Sequence, residues 1–379
     1  MAARDVVEID CTNDMPAMLS RLGEACTRFG IAQVIDATSC DRLGLPVCVA
    51  IRPAGRVATL TEGNHETTSG AMIGAIMEAV ETAIGESLPM PRRKTSFATL
   101  SQTQPVIDVP RLPFKDGKVF DPDRRVAWCK GTRLGSRQAC LAPFEAVALH
   151  PVIDAENTIG LNDGSSGLAA GGSIADASYR ALLEMIERDS LARWFTASPM
   201  HRLRSRFLPA SSASNGLSDL LEICQQQRVM PAFWRITNSM AVPTVFCQLF
   251  DLGAGRGEIV GYATGSASDV TWIAACRRAL MEAIQTRIAL LLRGHEIAAK
   301  AARLRQQSLE IARAQLAAAG PMPRDPRGLQ LADAPGRLKE LVRRIIQKRG
   351  VEPVMVPLTP RTAFPAVVRV IAPGFRRLR

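Results

Sequence analysis

Apolar positions recur at helical spacing over residues 15–29, at Met18, Leu19, Leu22, Cys26 and Phe29, and predict a short amphipathic helix. Gly30–Ile35, Leu45–Arg52 and Arg56–Leu60 follow as strand-like runs, the second dense enough to be buried. A break at Pro89–Pro91 leads into a polar surface connection to about Asp123. Val126–Lys130 and Leu141–Val147 read as extended. Leu217–Gln227 reads as a helix, and Met230–Thr237, Pro243–Leu252 and Glu258–Ala263 as strands. Residues 296–318 are rich in Ala, Arg, Gln and Leu and read as helical. A loop with three prolines (320–328), a helix at Arg337–Lys348 and strands at Val351–Pro357 and Ala366–Ile371 close the chain. Helices and strands interleave without strict alternation. That predicts an α+β fold with mixed or antiparallel sheets rather than a doubly wound one. Residues 1–60 read as a strand-rich segment that forms one compact unit with a larger domain, 61–379.

One stretch departs from simple periodicity. Leu161–Phe195 opens with the small-residue loop Gly164-Ser165-Ser166-Gly167, passes Gly171-Gly172, and enters a helix at Ser173, with Asp176 three residues on as a capping pattern. On this helix Glu184 and Glu187 share a face, followed by Arg188 and Asp189. Like charges at that spacing destabilise an isolated helix by a few tenths of a kcal/mol, roughly, so something positive should offset them, either Arg188 or a bound divalent cation. The arrangement recurs. TEGNHETTSG precedes a helix bearing Glu78 and Glu81; TGSASD precedes a helix bearing Glu282 and Gln285, with Arg278 and Arg287 nearby.

Charge and composition narrow the chemistry. The net charge of +11 calls for an anionic partner. Basic clusters at Arg92–Lys94, Arg202–Arg206 and Arg376–Arg379 lack the interleaved aromatics that stack nucleic-acid bases, so nucleic acid is not the expected partner. The nine cysteines form no C-x-x-C pair and lie mostly in apolar runs, as buried thiols of a reducing compartment do. There is no signal-peptide core, and no apolar run approaches the roughly 18 residues of a membrane span. A cytoplasmic chain with no membrane association is expected.

Acidic helices in a basic chain suit a magnesium–nucleotide complex. Carboxylates hold the hard cation, helix N-termini after small-residue loops approach phosphate, and Arg188, Arg278 or Arg287 meets charge developing during phosphoryl transfer. Neither a dinucleotide glycine fingerprint nor a Walker P-loop is present.

SSGLAAGGSIADASYRALLEMIERD (165–189) resembles the central signature of the YcaO superfamily. The first unit resembles its G-K-G…E-A-x-E segment, and ALMEAIQTR (279–287) its A-L-x-E-A-x-Q-S-R segment. Trp128, Gly131 and Pro143-Phe144-Glu145 with Val147 resemble its W-x-x-G and P-x-E-x-V elements, and FPAVVRVIAPG (364–374) its closing segment. Residues 30–53 resemble the branch that partners TfuA proteins. The resemblance implies an α+β, YcaO-type fold with the three acidic helices around an ATP site, and a homodimer. It also implies ATP-dependent activation of a peptide backbone amide, whose oxygen attacks the γ-phosphate before a nucleophile replaces it. By resemblance Glu78, Glu81, Glu184 and Glu187 hold Mg2+, while Ser165, Ser166, Arg188, Glu282, Gln285 and Arg287 surround the nucleotide. No residue is assigned as the catalytic group. A precursor peptide or protein is the substrate and a TfuA-like protein the partner.

The chain departs from the family pattern at several positions that, by the resemblance, would touch phosphate. The lysine of G-K-G falls at Asn64, a serine at Gly74, an arginine at Thr82, the asparagine of S-N-G at Ser166, a histidine near Asp269, and a later R-D at His295-Glu296. His65, beside Asn64, is a candidate stand-in for the missing ligand. The carboxyl end, Pro373–Arg379, lacks the proline-rich tail of azoline-forming members. That favours thioamide formation over a second alternative, azoline-forming cyclodehydration. The principal alternative is a catalytically weakened scaffold that binds a peptide or a partner enzyme.

Overall fold

The computed structural model describes residues 15–149, 158–161, 164–209, 216–252, 262–292, 319–326, 328–329 and 333–376. In chain order these form α1 (Met15–Arg28), β1 (Gln33–Asp36), β2 (Val47–Ile51), β3 (Leu60–Asn64), α2 (Thr68–Ser87), β4 (Lys94–Ser96) and α3 (Phe97–Leu100). Next come β5 (Arg125–Arg133), β6 (Ala139–Pro143), α4 (Phe144–Val147), β7 (Leu168–Gly171), α5 (Ile174–Phe195), α6 (Pro199–Arg204) and β8 (Arg206–Leu208). The chain ends with α7 (Leu217–Gln226), β9 (Val229–Arg235), β10 (Thr244–Asp251), β11 (Tyr262–Ser268), α8 (Trp272–Leu292), β12 (Gly320–Pro321), α9 (Ala334–Arg349), β13 (Val354–Pro357) and β14 (Ala366–Ile371).

The strands make three sheets: β1-β2-β3, β11-β10-β9-β8-β12, and β4-β5-β13-β14-β7 with β6 on β5. Every pairing is antiparallel except β8 with β12. The fold is α+β with antiparallel sheets. The apolar density of β2 has a direct cause: Cys48 and Ala50 pack towards α2, while Val47 and Val49 join the core beneath α8. A strand covered on both faces cannot alternate.

The three loop–helix units of the sequence become three strand–helix units: β3 with α2, β7 with α5, and β11 with α8. Each helix packs back on the strand it follows. Each is capped by a hydroxyl: Thr67 accepts from Gly70 N–H at 3.2 Å, Ser173 from Asp176 N–H at 3.2 Å, and Thr271 from Ala274 N–H at 3.1 Å. Two segments read as loops are therefore largely strand, since TEGN lies in β3 and TGSAS in β11. Their small residues serve close packing rather than chain reversal. A Cβ on Gly63 would stand 2.1 Å from Ala75 N, and one on Gly265 would stand 2.3 Å from Ala279 O, so only glycine lets these strands touch their helices.

Three other readings shift. Residues 56–59 form a bent loop rather than a strand, and Glu86 accepts from the N–H groups of Arg56 and Val57 at 3.0 and 2.9 Å. Phe144–Val147 is a helical turn after β6, not an extended element. Part of the 89–123 connection is ordered inward, with Ile107, Val109 and Leu112 buried. The helical reading of 296–318 lies outside the described residues.

Candidate functional site

A cavity of about 640 Å³ opens between α2, α5 and α8. Seven carboxylates line it (Glu62, Glu66, Glu78, Glu184, Glu187, Asp269, Glu282), against four guanidiniums (Arg180, Arg188, Arg277, Arg278). Acid outnumbers base in this lining, although the chain as a whole is positive.

Glu187 on α5 and the half-buried Glu282 on α8 meet at the base of the cavity. Glu187 is 6% exposed. Ser266 on β11 holds both: its hydroxyl donates to Glu187 at 2.6 Å, and its backbone N–H donates to Glu282 at 3.2 Å. Burial, and then the charge of Glu282, push the Glu187 carboxyl up to about 8. Burial also raises Glu282, against the pull of Arg188. Arg188 stands 3.7 Å from Glu184. Burial works against its charge, but Glu187, Glu184 and Glu282 outweigh that and hold it above its ordinary value. Arg188 and Arg278 both act on Glu187 and Glu282, yet both carboxyls stay raised, and a divalent cation is the chemistry that would favour their ionised forms. The residues fit that group by this test. Among the described residues no three Asp, Glu, His or Cys side chains close to metal-ligating geometry; the acids stand around a space.

The sequence-chosen residues divide by place. Glu78, Glu184, Glu187, Arg188, Glu282 and Gln285 line the cavity. Glu81 lies behind it, half-buried, accepting from Ala170 N–H at 2.6 Å. Burial raises its carboxyl well above the ordinary range, and neighbouring Glu78 and Glu184 add to the effect. Ser165 is exposed, its carbonyl accepting from Leu168 N–H at 2.8 Å to close the turn. Ser166 lines a smaller adjoining cavity together with Arg188, Met185, Phe375 and Arg376. Arg287, expected beside the nucleotide, is instead 1% exposed and pairs with Asp41 at 2.7 Å and Asp251 at 2.9 Å. At 100° per residue it lies about 200° around α8 from Gln285, on the core side.

His65 lines the cavity, with Nδ1 accepting from Thr67 N–H at 3.1 Å. Burial and then Arg277 lower its pKa, so the neutral ring carries its proton on Nε2. Asn64 spans the cavity to Gln285, donating its side-chain amide at 2.5 Å.

The sequence model of the YcaO cyclodehydratase, ATP- and Mg2+-binding family matches residues 62–376. The chain belongs to the YcaO family. Among curated relatives it is 26% identical over 365 residues to an uncharacterised protein in the tfuA 3′ region of Rhizobium leguminosarum bv. trifolii. That match covers 91% of this chain and 84% of the relative. The fold is that of YcaO from Methanopyrus kandleri, a structure bound with AMPPCP and Mg2+ (TM-score 0.72, 21% identity, 98% of this chain and 94% of that one). A heterocyclase in complex with substrate and cofactor gives TM-score 0.74 at 18% identity over 94% of this chain. This YcaO chain spans 52% of that heterocyclase's length.

Several lining residues escaped the sequence reading. Arg180, Glu184 and Arg188 form a stripe at successive four-residue steps on α5, and Arg278 and Glu282 repeat the step on α8, so helical period alone could have added Arg180. Ser266 and Arg277 carried no comparable signal. Their places depend on how β11 and the start of α8 meet α5.

Proposed function

We propose that this YcaO chain is a Mg2+/ATP-dependent enzyme that activates a backbone amide of a peptide or protein, for thioamide formation with a TfuA-like partner. The observation that carries it is the Glu187–Glu282 pair, a buried and a half-buried acid from different helices joined by Ser266 at the floor of a cavity large enough for a nucleotide. Glu78, Glu184, Glu187 and Glu282 would hold Mg2+, with Glu81 behind them. Bound there, Mg2+–ATP would supply the phosphoryl group that makes an amide oxygen a leaving group. Arg188 and Arg278 would meet phosphate charge. Gln285 and His65 offer neutral hydrogen bonds. The tfuA-region relative supports the thioamide branch over azoline formation. We also take residues 1–60 to fold with 61–379, since β2 and β3 pair across that boundary, and a homodimer as the assembly.

The test is calorimetric titration with ATP, with and without Mg2+, beside Glu184→Gln with Glu187→Gln. Binding that needs both the metal and the two acids is the expected result. No binding by the folded protein, alone and with a TfuA-like partner, would overturn the enzyme reading. One observation favours the second reading, a scaffold without ATP turnover: Asn64, where the family pattern has lysine, gives its amide to Gln285. A scaffold would bind peptide or partner in that titration series and take up no nucleotide.

A further inference from the structure

Two buried charged residues belong to motif segments that the cavity does not use: Glu145, 8% exposed, and Arg369, 1% exposed. All six positions of β14 are buried, and the other five are apolar. An arginine there carries a desolvation cost that an apolar side chain would not.

Its donors indicate what it does. Arg369 Nε donates to Ala146 O at 3.1 Å, and Nη2 donates to Gly164 O at 2.6 Å. The next residue, Val370, donates its N–H to Gly167 O at 2.7 Å. Both ends of the 164–167 turn are thus bonded to β14. Glu145 fixes the segment that leads towards the turn, accepting from Ile159 N–H at 2.6 Å and Leu161 N–H at 2.8 Å and from the Thr158 hydroxyl. On its other side the turn touches the site. Gly167 N–H donates to Glu184 at 3.1 Å, and Ser166 shares the smaller cavity with Arg188.

We propose that Arg369 is a positioning residue: through the Gly164–Gly167 turn it sets the Glu184 carboxylate against the cavity, while Glu145 sets the segment that approaches the turn. This rests on reading the cavity as the Mg2+–nucleotide site. A guanidinium suits the task because its planar fork reaches two carbonyls on separate segments, which a lysine ammonium or an apolar side chain does not reproduce.

The test has two arms, on Arg369→Met and on Arg369→Lys, which keeps the charge but not the fork. In nucleotide-free protein, hydrogen exchange at the Gly167 and Val370 amides should rise about tenfold or more, with α2 and α8 unchanged. Unchanged exchange at Gly167 would overturn the proposal. In Mg2+–ATP titrations, Arg369→Met and Glu184→Gln should each weaken binding by about tenfold, and the double variant should bind no worse than the weaker single one. Additive losses would overturn it. If the wild-type protein takes up no nucleotide, the nucleotide reading fails and the exchange arm alone decides. If Arg369→Met does not fold, Arg369→Lys decides both arms.

Discussion

Asn64 on β3 donates its side-chain amide to Gln285 on α8 at 2.5 Å, joining the first and third strand–helix units across the cavity. A neutral bond occupies a place where a phosphate site would use charge. Asn64→Lys adds a cation beside a lining of seven carboxylates. A charge-assisted contact to phosphate is worth about 1–2 kcal/mol, so ATP should bind about fivefold to thirtyfold more tightly. The gain should shrink with added salt, as calorimetry at two ionic strengths would reveal. Affinity equal to wild type at both would put position 64 beyond reach of the phosphates.

The buried acids predict how stability varies with pH. Glu187 is raised to about 8 by burial and then by Glu282. Between the ordinary carboxylate range and about pH 8, the folded chain keeps a proton that the unfolded chain has released. Unfolding free energy therefore falls as pH rises through that window and levels off above it. At about 1.4 kcal/mol per pKa unit the effect is on the order of a few kcal/mol. Denaturant melts of metal-free protein at pH 5 and pH 8 should detect the fall, and Glu187→Gln should flatten it. Mg2+ prefers the ionised acids, so Mg2+–nucleotide affinity should climb with pH over the same range. A wild-type profile as flat as the variant's would count against a buried, protonated Glu187.

Gly63→Ala should be among the most damaging single-methyl changes in the chain. The added Cβ would meet Ala75 N at 2.1 Å and Ala71 O at 2.2 Å, both backbone atoms that cannot swing aside. Gly265→Ala meets Ala279 O and Ala283 N, each at 2.3 Å. Either change should cost about 3 kcal/mol or more, read as a lower denaturation midpoint, because strand and helix must separate. Gly172→Ala, with no atom within 4 Å of the new Cβ, is the control and should stay close to wild type.

Asp189 follows Arg188 in the central signature, yet it faces away from the cavity lining. It is fully buried and accepts from Arg193 at 3.0 Å, from Arg349 on α9, and from the backbone N–H of Arg376 at 2.8 Å. Asp189→Asn should leave two arginines poorly matched and destabilise the protein by about 3 kcal/mol. The loss should appear first as faster hydrogen exchange at Phe375 and Arg376. A variant as stable as wild type would mean that Asp189 does not hold the carboxyl-terminal segment.

Much of the site was legible because helical period and capping are local properties. Ser173 caps α5 where its spacing to Asp176 indicates, and Glu184 and Arg188 share a face because residues four apart on a helix must. The repeated acid-bearing helices and the α+β class could be read from one dimension. Tertiary packing decided the rest. Small residues near Gly63 and Gly265 imitate a loop, and only the helix lying on them makes them strand, since a Cβ-free backbone is what close crossing requires. Arg287 shares its motif with Glu282 and Gln285, but its side of α8 meets Asp41 and Asp251 instead of the cavity. Ser266 gained its place through β11 meeting α5, and Arg369 through β14 meeting the 164–167 turn. Those are distances set by packing between segments far apart in the chain, and a sequence pattern carries no record of them.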